Sequence, residues 1–145
     1  MLKRLVIAAV LLGALPAAAM DARITLGADL WHHRYYNHYD GLLSGTLALG
    51  GAVSREVSLG GRAGVLLVTS PVIVGIPADF YVRYVPIPRL YIDGLVGPWF
   101  FLDESVFRLH VGGGFGYRGD GIQIGIEAAY LEPSALLGVR LGIPL

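Results

Sequence analysis

Apolar residues recur at every second position along this chain, stretch after stretch, and one of the two faces so defined never carries a charge. Successive side chains of a β-strand point to opposite sides, so a period of two is the signature of strands whose two faces meet different surroundings. In residues 22–31, Ala22, Ile24, Leu26, Ala28 and Leu30 alternate with Arg23, Thr25, Gly27, Asp29 and Trp31. Residues 42–54 set Leu43, Leu47, Leu49 and Val53 against Leu42, Ser44, Thr46, Ala48, Gly50, Ala52 and Ser54, and residues 57–70 set Val57, Leu59, Ala63, Val65 and Leu67 against Ser58, Gly60, Arg62 and Gly64. Ala78, Phe80, Val82 and Tyr84 then oppose Asp79, Tyr81 and Arg83, and Leu90, Ile92, Gly94 and Val96 oppose Tyr91, Asp93 and Leu95. In residues 106–117, Phe107, Leu109, Val111, Phe115 and Tyr117 oppose Arg108, His110, Gly112, Gly114 and Gly116. Residues 122–131 set Ile122, Ile124, Ile126, Ala128 and Tyr130 against Gln123, Gly125, Glu127 and Ala129, and the last segment sets Ala135, Leu137, Val139, Leu141 and Ile143 against Leu136, Gly138, Arg140 and Gly142. The pattern predicts eight strands.

Alternation alone also suits a soluble sandwich, whose apolar face turns into a core. The outer face of a sandwich, however, must satisfy water along most of its length. Here the polar face is mainly Gly, Ser, Thr and Ala with an occasional ion, which suits a narrow lumen instead. A hydrophobic share of 54% and a mean hydropathy of +0.61 also point to a medium other than water. Spanning helices are a poor answer: the nearest apolar run, residues 63–78, is broken by Pro71 and Pro77, far short of the roughly 20 apolar residues a helix needs to cross. Strands in lipid must pair all their backbone groups, which only a closed sheet achieves. The expected fold is therefore all-β: a closed antiparallel up-and-down transmembrane barrel of about eight strands, whose interior side chains just fill.

The charges assigned to that interior are Arg23, Asp29, Arg62, Asp79, Arg83, Asp93, Arg108, Glu127 and Arg140. Five are positive and four negative, so a self-neutralising ion network is expected in place of a diffusion pore, with a proton path or gated channel as the alternative. Connections should alternate between long external loops and short periplasmic turns. Residues 34–41, 70–77 and 97–105 read as long gaps, and Arg55–Glu56, Pro86–Arg89 and Arg118–Gly121 as turns. Aromatic belts are expected from Trp31, Phe80, Trp99, Phe100, Phe101, Phe107 and Tyr130 at one interface and Tyr84, Tyr91, Phe115 and Tyr117 at the other, although Trp31 and Tyr91 have lumenal parity and could plug the barrel.

The chain opens with a basic Lys3–Arg4, an apolar stretch from Leu5 to Leu15, Pro16, and Ala17, Ala18 and Ala19. That order reads as a signal peptide, residues 1–19, cut after Ala19. It leaves a barrel of residues 20–145; the stretch is about half the length of a retained membrane anchor. There is no cysteine, hence no disulfide and no lipid-modified cysteine. Of the 11 basic residues, Lys3 and Arg4 fall in the signal, so nine arginines face 11 acidic residues in the remainder and nothing suggests nucleic acid as a partner.

By this pattern the chain resembles the small eight-stranded outer-membrane barrels of the OmpA and OmpX type, over essentially the whole of residues 20–145. Gly138, Leu141 and Ile143 fit the spacing of the final strand that the barrel-assembly machinery reads in such proteins, although Pro144 and Leu145 stand where an aromatic is usual. The resemblance implies export to the periplasm, residence in the outer membrane, and contact with outer-membrane lipid and the assembly machinery. It names no protein partner and implies no cofactor.

Two clusters carry chemistry. His32, His33, His38 and Asp40 supply donors for Zn, Cu or Ni, but their spacing matches no standard zinc motif, and rings at a membrane surface more often anchor. His110 and Glu127 share lumenal parity on neighbouring strands, and with Ser44 or Ser58 they would supply the residue types of a lipid-modifying hydrolase, without a nucleophile signature. The run Gly112, Gly113, Gly114 and Gly116 lacks the helix and lysine of a phosphate loop and reads as a wall feature. The expected function is a non-enzymatic barrel acting in surface contact or envelope integrity through its external loops. The alternatives are a lipid-modifying or ligand-binding barrel, and a secreted lipocalin-like carrier with its faces inverted.

Overall fold

The computed structural model describes residues 20–33, 37–103 and 106–145. Eight strands follow in order: β1 (Met20–His33), β2 (His38–Ala52), β3 (Val57–Thr69), β4 (Val72–Ile87), β5 (Leu90–Phe101), β6 (Val106–Arg118), β7 (Gln123–Leu131) and β8 (Ser134–Pro144). Each pairs antiparallel with its neighbour, and β8 pairs with β1 to close the barrel. The final turn of the ladder is sealed by Leu145 N donating to Ala22 O at 2.9 Å. The sequence-predicted signal peptide lies outside the described residues.

Side-chain direction follows the alternation. Ile24, Leu26, Leu30, Leu43, Leu47 and Val65 are exposed on the outer wall, as are Phe80, Ile92, Val111, Ile126, Val139 and Ile143. Arg23, Asp29, Thr46, Tyr81, Arg83, His110, Glu127 and Arg140 are buried in the lumen. A soluble carrier would need the reverse, with the Leu and Ile face around an apolar cavity. The inverted, lipocalin-like reading is thereby overturned.

The connections depart from the expected long and short rhythm. Only Ser70 and Pro71 separate β3 from β4, where a long gap was expected, and β5 runs on to Phe101 instead of ending at Val96. The reason lies in the prolines. Pro71 occupies the turn itself, and Pro77 and Pro98 sit inside strands where the ladder is interrupted: the β3–β4 register skips between Ala63↔Ala78 and Leu66↔Gly75, and the β4–β5 register between Pro77↔Trp99 and Phe80↔Val96. A proline lacks the N–H that a ladder needs, so it fits a wall only where the ladder lapses. Prolines that read as loop punctuation are therefore part of the wall. His33 faces His38 across β1–β2, so that connection too is only residues 34–37.

The lumen has three levels. At the upper end, with the β1–β2, β3–β4, β5–β6 and β7–β8 connections, Trp31, Leu42, Leu66, Val68, Trp99, Phe101, Leu131 and Leu136 form an apolar plug. Trp99 and Phe101, assigned from sequence to an interfacial belt, turn inward, as do Trp31 and Tyr91 in keeping with their lumenal parity; Phe100, Phe107, Tyr130, Tyr84, Phe115 and Tyr117 stay on the outer wall. The ionic residues occupy the middle. At the lower end Tyr81 and Tyr91 lie against glycines. A Cβ at Gly60 would overlap the Tyr81 ring and the Leu49 carbonyl, and one at Gly116 or Gly125 would overlap the Tyr91 hydroxyl. Here glycine is the only residue that leaves room for an aromatic ring flat against the wall.

Candidate functional site: the ionic lumen

Five strands aim ionic side chains at the centre. Register alone sets Arg62 on β3 opposite Asp79 on β4, and Arg62 Nε donates to Asp79 Oδ2 at 2.8 Å. The rest of that guanidinium crosses the lumen to β7, where Nη1 and Nη2 donate to the two oxygens of Glu127 at 2.8 and 3.0 Å. Arg140 on β8 grips the same carboxylate through Nε and Nη2 at 3.2 and 2.8 Å and places Nη1 2.6 Å from Asp29 Oδ1 on β1. Charge-assisted bidentate contacts of this kind are the strong class of hydrogen bond.

His110 stands inside this cluster with none of its side chain exposed. Its Nδ1 lies 2.8 Å from Asp79 Oδ1 and its Nε2 3.5 Å from Glu127 Oε1. Trp99 stacks on the imidazole at 4.4 Å, and its Nε1 donates to both oxygens of Asp79 at 3.1 and 3.2 Å. Asp79 thus accepts from an arginine and an indole while facing a histidine. The cluster joins the apolar plug through Trp99, which belongs to both.

Below it, Arg83 Nε and Nη2 each donate to one oxygen of Asp93 at 2.7 Å, Nη1 donates to Gln123 Oε1 at 2.7 Å, and the guanidinium lies 3.9 Å from the centre of the Tyr91 ring. Arg23 packs over Tyr81 at 4.9 Å. Between these groups is a lumenal cavity of about 30 Å³, room for a single small occupant.

Of the nine charges assigned to the lumen from sequence, Arg62, Asp79, Glu127, Arg140 and Asp29 meet in the central cluster, and Arg83, Asp93 and Arg23 lie below it. Arg108 does not join them. It sits at the upper rim, donating through Nη1 to Glu132 O at 3.0 Å, with its guanidinium 5.1 Å from the Trp31 ring and 5.3 Å from the Phe101 ring. Sequence reasoning left Trp99 and Gln123 out of the site. Continuing the parity of β5 past Gly97 would have found Trp99, and Gln123 already lay on the polar face.

The rim histidines divide. His32 packs against Tyr39 at 5.0 Å and faces Asn37, whereas His38 Nε2 lies 3.0 Å from Asp40 Oδ1. Among the described residues no three His, Cys, Asp or Glu side chains gather to hold a metal; the side chain of His33 lies outside them. Of the candidate hydrolase residues, His110 and Glu127 come together in the central cluster. Both His110 nitrogens face carboxylates, Ser58 stands opposite Arg83 toward the lower end, and Ser44 packs near Gly27 and Arg140.

No protein family and no curated protein matches this chain. Solved structures do. A chain described as a de novo design of transmembrane β-barrels superposes with a TM-score of 0.62 at 15% identity, over 88% of this chain and 95% of that one. The solution NMR structure of the designed barrel TMB2.3 gives 0.60 at 14% identity, over 85% and 94%. The fold is that of an eight-stranded transmembrane β-barrel.

Proposed function

We propose that this chain is a small, non-enzymatic outer-membrane barrel of the OmpA and OmpX type, exported through a cleaved signal peptide and contributing to envelope integrity as a closed, non-conducting wall. The observation that carries the reading is the division of the side chains: every ionic cluster faces inward around a cavity of about 30 Å³, while the outer wall is an unbroken apolar surface. A single Arg on such a wall would cost roughly 2–4 kcal/mol at the bilayer midplane, so lipid is the medium this surface fits. The partners proposed are outer-membrane lipid and, through β8, the assembly machinery.

The upper connections number only four residues or two, which gives external loops little surface to present. That favours envelope integrity over adhesion. The plug fills the upper lumen and the ion cluster its middle, which is the arrangement a closed wall requires.

The test is the mature chain refolded in detergent and in planar bilayers. A gel mobility shift on boiling in SDS, with no stepwise conductance in the bilayer, is the expected result. Solubility in buffer without detergent would sink the membrane reading, and open-channel steps of the unmodified protein would sink the closed-wall reading.

A further inference from the structure

The ionic residues do not balance locally. In the central cluster Arg62 and Arg140 face three carboxylates, Asp29, Asp79 and Glu127, with His110 between two of them. Below it, Arg23 and Arg83 share one lumenal carboxylate, Asp93, and both of its oxygens are taken by Arg83. Arg23 is only 5% exposed, yet its nearest carboxylate is the rim residue Asp21 at 3.6 Å. The other central and lower arginines have a carboxylate oxygen within 2.8 Å.

Two donors on residues that line one cavity are left over. Arg23 Nη1 is buried without a hydrogen-bond acceptor, and so is Nε2 of Gln123, whose amide orientation is set by Arg83 donating to its Oε1. Both side chains line the cavity of about 30 Å³, which four arginines, Arg23, Arg62, Arg83 and Arg140, border against two carboxylates, and both pass over Gly142, where a Cβ would come within 3.3 Å of Gln123 Cβ, 3.7 Å of its Oε1 and 3.8 Å of Arg23 Cδ. Asp93 and Glu127 also border the cavity, but each is already covered by guanidinium groups. Arg23 is thus a buried cation whose nearest carboxylate, Asp21, is part exposed and beyond hydrogen-bond distance, and such a cation is costly unless an opposite charge joins it.

We infer that the lower lumen binds one small monovalent anion of halide size, held by Arg23 Nη1 and Gln123 Nε2 in the cavity that both side chains line. The anion supplies a negative charge in direct contact with Arg23, where the strands place none nearer than Asp21 at 3.6 Å, and the cavity excludes oxyanions the size of sulfate and organic acids such as gluconate. A water molecule would satisfy the two donors but not the charge.

The first test is the thermal midpoint of the full mature chain in detergent, measured in sodium chloride and in sodium gluconate at equal ionic strength. Binding to the folded state alone raises the midpoint with ligand concentration, so a rise on the order of 5 °C is expected as chloride replaces gluconate. Gln123→Glu places a carboxylate on the site itself and is expected to abolish that difference while raising the midpoint in gluconate. The second test needs no variant: crystals grown in bromide should show an anomalous peak between Arg23 and Gln123. Equal midpoints in the two salts, a chloride response that persists in Gln123→Glu, or bromide crystals without that peak would each overturn the assignment.

Discussion

The upper plug and the central ion cluster are both buried and are held together by opposite means. Leu42, Leu66, Leu131 and Leu136 need no particular partner; any close apolar neighbour will do, and their contribution scales with the area and volume they fill. Arg62, Asp79, Glu127 and Arg140 gain nothing from burial as such. Their attraction must offset the loss of hydration, and it does so only while every partner is in place. The plug should therefore yield gradually to substitution, and the cluster should fail as a unit. Trp99 tells the two apart, since its ring packs in the plug while its Nε1 serves Asp79.

The largest effect is expected where one member of the cluster is removed alone. Glu127→Leu removes the carboxylate that Arg62 and Arg140 share, leaving them Asp79 and Asp29 alone, and should cost about 3–5 kcal/mol, read as a fall in the urea midpoint of the barrel folded in lipid vesicles. The comparison breaks if this variant is no worse than a plug truncation of similar volume. In a sharper version, Asp93→Leu alone should cost several kcal/mol, about 3–5 by the same reasoning, whereas Arg83→Met combined with Asp93→Leu should recover most of that loss, because both partners of the pair are then removed together. A double variant as unstable as the single one would mean that the pair is held for more than its charge balance.

Next come the plug residues. Leu131→Ala should cost about 2–5 kcal/mol through lost contacts and the cavity left behind, while Leu131→Met, which conserves volume, should cost less than about 1.5 kcal/mol. Urea midpoints of both variants decide whether the response is graded. For Trp99, a Phe replacement keeps most of the ring and removes the donor to Asp79; a loss beyond the packing difference would locate the boundary between the two regions at that indole. The smallest effect is expected outside both regions. Arg55→Ala, in the exposed lower turn, should change stability by no more than about 0.5 kcal/mol in either direction.

The faces were legible in the sequence because the period of a strand is local: once Ile24 points out, Arg23 and Thr25 must point in, whatever the rest of the chain does. Strand ends were less legible where prolines intervened. Pro77 and Pro98 looked like loop residues, and only the lapse in the ladder around them lets β4 and β5 extend to Val72 and Phe101. That error moved Trp99 and Phe101 from the wall's interface to the plug, since two further residues of the same parity place a side chain in the same lumen one level higher.

The sequence by itself determined the number of strands, the inward side of each and the near balance of interior charge, because these depend on alternation and composition. Only closure decided which charges meet. Arg62 and Glu127 stand 65 positions apart in the chain, and their bidentate contact exists because eight staggered registers bring β3 and β7 face to face across the lumen. The same closure left Arg108 at the rim over Trp31, and Arg23 without a carboxylate within 3 Å. Parity fixes the side of the wall on which a charge lies; its depth and its opposite number follow from the shear of the whole barrel.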